Sequence, residues 1–438
     1  MKKLFSIFSS VLLLSGIATA QETVYPAPAQ KGTIFITNAT IHIGNGQVIE
    51  NGGIKISNGK IEEVGAGITA SGSATVVDAK GKHVYPGLIL PASTLGLQEI
   101  SGIRSMQDFN EIGDVNASIR SIAAYNADSK ITNTLRSNGI LLAHVAPVGS
   151  LVGGQSSVVQ LDAWNFEDAA YKADMGMNLY MPNLLSRPGG RFAALFALFG
   201  PAQAADPVKE ALDKLEAVKV FFREAKTYLD DRGIKPTNLK FEAARALFEK
   251  KQKLFVHCNQ VKQMLLAIDF NKEFGFDVVI VGGKESWQIA DLLKQNNVSV
   301  IVSQMHDLPT LDDDDVDQPY KMCAALQKAG VLFAINDDDP QNRGRNLPFN
   351  AGTAAAYGLS KEEALAAITL NTAKILGIDG QTGSIEKGKD ANIIISQGDV
   401  LDMRSSIITD AFIQGRKISL DDKHKQLNER YKHKYGIK

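Results

Sequence analysis

Cysteine and histidine are scarce in this 438-residue chain, which holds two of the first and seven of the second. Two thiols, Cys258 and Cys323, cannot build the disulfide framework of a small secreted scaffold. Buried apolar thiols need no partner, and pairing in an oxidising compartment stays open. Seven histidines speak against a histidine-rich metal protein. Charge of one sign is also lacking. The 47 Lys and Arg against 48 Asp and Glu leave a net −1 with signs interspersed, so no broad positive field addresses a nucleic-acid backbone or an anionic membrane. What is present, 44% apolar, 22% charged and 7% aromatic residues, is an ordinary folding composition that buries a large core.

The one notable apolar stretch is at the start. Residues 1–20 combine Lys2-Lys3, an apolar region over residues 4–14 diluted by Ser, and Ala18-Thr19-Ala20 before Gln21. This reads as a secretory signal peptide, so the expected location is periplasmic or extracellular. The apolar core is shorter than the roughly 20 residues of a transmembrane helix, and no membrane span is expected in the mature chain. No Cys near the cleavage site offers a lipid-attachment thiol.

Residues 33–77 carry short alternating runs punctuated by Gly44-Asn45-Gly46 and Asn58-Gly59, the pattern of antiparallel hairpins. A second β region closes the chain around Asn392-Ile393-Ile394-Ile395 and Ala411-Phe412-Ile413. Between them, apolar runs at residues 140–145, 253–257, 278–281, 298–302 and 331–335 alternate with helical patterns, as strands buried on both faces of a parallel sheet do. Val208, Leu212, Leu215, Val218, Phe222, Ala225 and Leu229 recur at helical spacing, and Ser360 with Glu363 forms a capping box. About 295 residues of β/α repetition suit one eight-stranded barrel.

Four stretches carry a specific resemblance: residues 81–89, residues 346–352 with 357–360, residues 363–373, and Gly383-Ser384-Ile385-Glu386-Lys387-Gly388-Lys389-Asp390-Ala391-Asn392. With these motifs the chain resembles the amidohydrolase superfamily, nearest its imidazolonepropionase-like branch, over residues 33 to about 420. The resemblance implies an α/β fold, a (β/α)8 barrel over residues 86–380 with a composite β-sandwich from residues 21–85 and 381–420. Residues 421–438 form a basic C-terminal tail.

The resemblance also implies metal ions at the C-terminal strand ends, held by a His-x-His pair, two single His and an Asp, often with a bridging Lys. Such ligands hold a divalent ion, zinc first, that lowers the pKa of bound water, and the Asp moves the proton. This sequence departs from that set. Ala92 and Thr94 occupy the His-x-His positions, and Gly282 stands where strand six would carry its His. His257 matches the strand-five ligand and Asp337 the catalytic Asp, while the position of the bridging Lys is not identified from the sequence. A reduced metal site would add His306, at the same rim, to His257 and Asp337. A lone His at a strand end is also often only a hydrogen-bonded residue, and Asp337 to Asp339 could simply cap a turn.

Other candidates are weaker. His42, His424 and His433 lie away from the rim, whereas His144 falls within the apolar run at residues 140–145 and can face the barrel. Gly153-Gly154-Gln155-Ser156-Ser157 resembles a Gly-rich rim loop, but without a Walker lysine it cradles no phosphate. The acidic residues 312–317 lack the Gly and Glu of an EF-hand and read as a solvated loop. Two functions stay open. One is an exported hydrolase acting on C–N bonds of a cyclic or linear amide or peptide-like substrate through a reduced metal site. The other is a catalytically inactive pseudoenzyme that binds a small ligand or supports an active homologue as a partner subunit, with homo-oligomerisation open in both.

Overall fold

A computed structural model describes residues 24–70, 72, 74–184, 206–231, 233, 236–338 and 342–437. The signal peptide expected over residues 1–20 lies outside them.

The alternating runs near the start form β1 (Ile34–His42), β2 (Val48–Ser57), β3 (Lys60–Ala66), β4 (Thr75–Asp78) and β5 (His83–Pro86). Asn58 and Gly59, at φ +51° and +78°, make the tight turn between β2 and β3 that only residues tolerating left-handed backbone supply. The central runs form β6 (Leu88–Ser93), β7 (Ile140–Val145), β8 (Val152–Gln160), β9 (Ala170–Tyr180), β10 (Lys253–Cys258), β11 (Val278–Gly282), β12 (Ser299–Val302) and β13 (Phe333–Ile335). After them the chain returns as β14 (Ile393–Ser396), β15 (Ile408–Ile413) and β16 (Arg416–Lys417). The two ends of the chain share one sheet, ordered β16-β15-β14-β5-β1-β2-β3 with β4 on β1. The middle makes a second sheet, β13 through β6 in reverse order, that curls into a nearly closed barrel.

One strand departs from the all-parallel barrel that the sequence suggests. β8 runs antiparallel to both β7 and β9. Only residues 146–151 join β7 to β8, far fewer than a parallel crossover requires, so the chain turns back as a hairpin. The Gly-rich segment at residues 153–157, expected as a rim loop, lies inside β8. A Cβ on Gly154 would come within 2.7 Å of the Ile119 carbonyl oxygen, which explains the glycine.

Helices pack outside. Those that matter below are α1 (Lys130–Ser137), α2 (Pro207–Asp230), α3 (Leu347–Ala356), α4 (Lys361–Ala367) and α5 (Lys423–Tyr435). α2 buries Leu215, Val218, Phe222 and Ala225 as its spacing predicts, while Leu212 is exposed. At α4 the capping box closes reciprocally: Glu363 N–H donates to Ser360 Oγ at 3.2 Å and Ser360 N–H to the Glu363 carboxylate at 2.8 Å.

Two polar joints, one buried and one half-buried, tie the sheet to the barrel. Asp162, just after β8, accepts from Arg136 of α1 at 2.6 Å and from Arg416 of β16 at 3.0 Å. His42 of β1 donates from Nδ1 to Glu362 of α4 at 2.6 Å, and its Nε2 lies 3.0 Å from His83 Nδ1 of β5.

Candidate functional site

Strand alternation decides which side chains enter the barrel. Ile89, Leu142, Phe255, Val279, Ile301 and Ala334 pack together as an interior layer. Two residues further toward the C-terminal ends, His144, His257, Val281, Ser303 and Asn336 point the same way.

Both histidines there are held in one neutral tautomer. The Pro91 carbonyl can only accept, so His144 donates to it from Nδ1 at 2.7 Å. Its Nε2 is then a bare lone pair, buried and without a partner among the described residues. Burial pushes the ring's pKa down to about 4. On β9, Asn178 Nδ2 donates to the Gly154 carbonyl at 3.2 Å, which fixes Oδ1 as the acceptor for His257 Nε2–H at 3.0 Å. His257 therefore carries its lone pair on Nδ1. Its ring stacks on Tyr180 with centroids 4.0 Å apart. Burial, with the charge of His144 second, holds its pKa down at about 3. Tyr180 donates its hydroxyl to the Pro147 carbonyl at 2.8 Å and is locked in turn.

The expected site residues separate. Asn336, not Asp337, takes the inward place on strand eight, because Ala334 faces in and the next inward position is two residues on. Its Oδ1 accepts from the backbone N–H of Ala92 at 3.3 Å, bridging strand eight to strand one. Asp337 sits one residue off that phase. It is buried, with Asn350 of α3 donating to it at 3.0 Å and Arg343, in the turn before that helix, pairing with it at 3.4 Å. His306 is exposed and its Nε2 meets Thr353 Oγ1 of α3 at 2.9 Å. Thr94 is buried, and its hydroxyl oxygen has no partner among the described residues. Gly282 has φ +103°, and a Cβ there would lie 2.9 Å from the Cys258 carbonyl oxygen as well as 2.4 Å from Asn259 Oδ1, so a side chain at this position is strained. Asn178, Tyr180 and Asn336 escape sequence reasoning. The signal for them is the period-two phase of β9 and β13, which needs the register of the neighbouring strands.

The comparisons with known proteins meet this geometry. The Amidohydrolase family pattern matches residues 277–418. An imidazolonepropionase of Thermoplasma volcanium is 24% identical over 385 residues, covering 82% of this chain and 84% of the relative. The crystal structure of an amidohydrolase from Thermotoga maritima superposes with a TM-score of 0.75 at 26% identity, covering 88% of this chain and 99% of that one. The chain belongs to the amidohydrolase superfamily. It falls on the imidazolonepropionase-like side. A prolidase structure, at 15% identity and a TM-score of 0.55, shares the fold.

Members of this superfamily typically use divalent metals, so the donor set decides whether this amidohydrolase chain could hold one. Among the described residues no three His, Cys, Asp or Glu side chains come together as ligands. The triad expected from His257, His306 and Asp337 is not assembled among the described residues: His257 meets Asn178, His306 meets Thr353, and Asp337 meets Asn350 and Arg343. A catalytic zinc site commonly has three protein ligands, so the residues present do not fit one.

Proposed function

We propose that this chain is an exported, metal-free member of the amidohydrolase superfamily whose barrel mouth binds a neutral small molecule carrying amide N–H groups, without hydrolysing it. The observation that carries the reading is the bare, buried Nε2 of His144. An unmet buried acceptor costs about 1–3 kcal/mol, and a ligand N–H offsets that cost. Thr94 Oγ1 offers a second unpaired buried oxygen at the end of strand one. Among the described residues, the inward positions at the C-terminal strand ends, His144, His257, Val281, Ser303 and Asn336, carry no ionised side chain, which favours a neutral ligand over a charged one. The leader at residues 1–20 supports export.

Calorimetric titration with linear amides, cyclic amides and dipeptides, in the presence of a chelator, tests the reading. Binding by one of these classes, weakened about tenfold or more in His144→Phe and accompanied by no turnover with or without added zinc, is expected. The competing outcome is a hydrolase working through a reduced site, favoured by retention of His257 at a family ligand position. Zinc-dependent turnover lost in both His257→Gln and Asp337→Asn would establish that outcome and end the metal-free reading. Activity that appears only when an active homologue is added would assign the chain a supporting-subunit role instead.

A further inference from the structure

The near-zero net charge averages over one strongly cationic element. α5 holds Lys423, Lys425, Arg430, Lys432 and Lys434 against the single acid Glu429, a helix net of 5 − 1 = +4 with neutral histidines. The acid just before it is already used, since the buried Asp422 carboxylate caps the His424 and Lys425 N–H groups.

Its apolar stripe is covered at one end only. At 100° per residue, Leu427, Tyr431 and Tyr435 fall within an arc of about 80°. Leu427 is half-buried beside α1, whereas Tyr431, Tyr435 and the following Ile437 are 52%, 65% and 61% exposed. Cations flank the stripe on both sides, Arg430 and Lys434 on one and Lys425 and Lys432 on the other. Lys434 Nζ stands 5.8 Å and 5.1 Å from the two tyrosine ring centroids.

The neighbouring surface continues the pattern. A groove between α5, α1 and the start of the described chain is lined by Lys130, Lys423 and Arg430 together with Tyr25 and Trp164. These two rings lie 5.9 Å apart and are 68% and 67% exposed. Exposed Tyr431 and Tyr435 on a helix whose apolar arc is bordered by Lys and Arg, with exposed Tyr25 and Trp164 in the groove beside it, match the water–lipid boundary. There the rings sit at headgroup depth and the cations meet lipid phosphates. No helix among the described residues is long and apolar enough to cross a membrane, so the contact is one of surface and not of span.

We infer that α5 and the adjoining Tyr25–Trp164 groove dock the protein on an anionic phospholipid bilayer. Binding then depends on lipid charge and on the bare aromatic stripe together.

Co-sedimentation of the full chain with vesicles of phosphatidylcholine, and of phosphatidylcholine mixed with phosphatidylglycerol, tests this. The mixed vesicles should bind it more tightly, and Lys432→Glu and Lys434→Glu should each weaken that binding about fivefold or more. Tyr431→Ser with Tyr435→Ser should weaken vesicle binding while leaving retention on a heparin column unchanged. Equal binding to both vesicle types, or variants that bind as tightly as the parent, would overturn the proposal. Heparin retention as sensitive to the tyrosine pair as vesicle binding would also overturn it, in favour of a soluble polyanion. All four positions are at the surface, and unchanged circular dichroism checks that the variants fold.

Discussion

The Asn336 side chain accepts the backbone N–H of Ala92 at 3.3 Å, joining the last barrel strand to the first where the sheet has no ladder between β13 and β6. The same amide donates to Asp338 at 3.0 Å. Asn336→Ala removes both bonds from a residue only 3% exposed. It should lower the unfolding free energy by about 1–3 kcal/mol in urea titrations. Asn336→Asp keeps the acceptor but sets a carboxylate against Asp338, which raises its folded pKa. The deficit of that variant relative to the parent should be largest near neutral pH and shrink as the pH falls. A constant deficit across pH would contradict this account.

Asp162 holds two guanidinium groups while almost fully buried itself. Removing it strands Arg136, a residue 4% exposed, beside Arg416. Asp162→Ala should therefore cost about 3–5 kcal/mol. Differential scanning calorimetry should find both sheets melting earlier; a shift of less than a degree would mean the Arg residues find other partners.

His144 predicts an acid-labile fold. Its folded pKa of about 4 lies below the ordinary 6.5, so between those values the unfolded chain binds the proton and the native ring does not. Stability is complete above the unfolded value and is lost as pH falls toward 4, by about 3 kcal/mol from this ring alone. Urea midpoints measured from pH 7.5 to 4.5 should fall, and His144→Gln should flatten the slope. A pH-independent midpoint in the parent chain would refute it.

Placing at position 282 the histidine that the sequence resemblance implies should damage the protein and not arm it. Gly282→His meets Asn259 Oδ1 at 2.4 Å and the Cys258 carbonyl oxygen at 2.9 Å, on backbone at φ +103° that L residues avoid. A loss of more than about 2 kcal/mol is expected, by thermal melting, with no gain in bound zinc by elemental analysis. A stable, zinc-loaded variant would show that the loop can yield.

Much of this architecture was legible because period and length carry it. Val278 to Val281 and Val298 to Val302 read as barrel strands since continuous apolar runs between helices have few other uses. The reversal of β8 was hidden, because Gly153 and Gly154 look like a loop until Ile119 is seen pressing on the strand. At the site, His257 could be placed from the motif, since it ends a clear strand. Asp337 could not be separated from Asn336 and Asp338 by sequence: three polar residues in a row leave the phase undefined, and one residue's slip moves a carboxylate from the barrel's interior to its outside. His306 was near in sequence to the rim, but its partner Thr353 belongs to a helix whose packing no local pattern encodes.

Arg416 is made 254 residues after the Asp162 it neutralises. A ribosome will have produced every barrel strand before that guanidinium exists, so a nascent barrel spends this interval with its buried carboxylate answered by Arg136 alone. Truncation after residue 415 would remove little of the barrel's covering yet leave its charge balance unfinished, so barrel and sheet should be inherited, expressed and engineered as one piece.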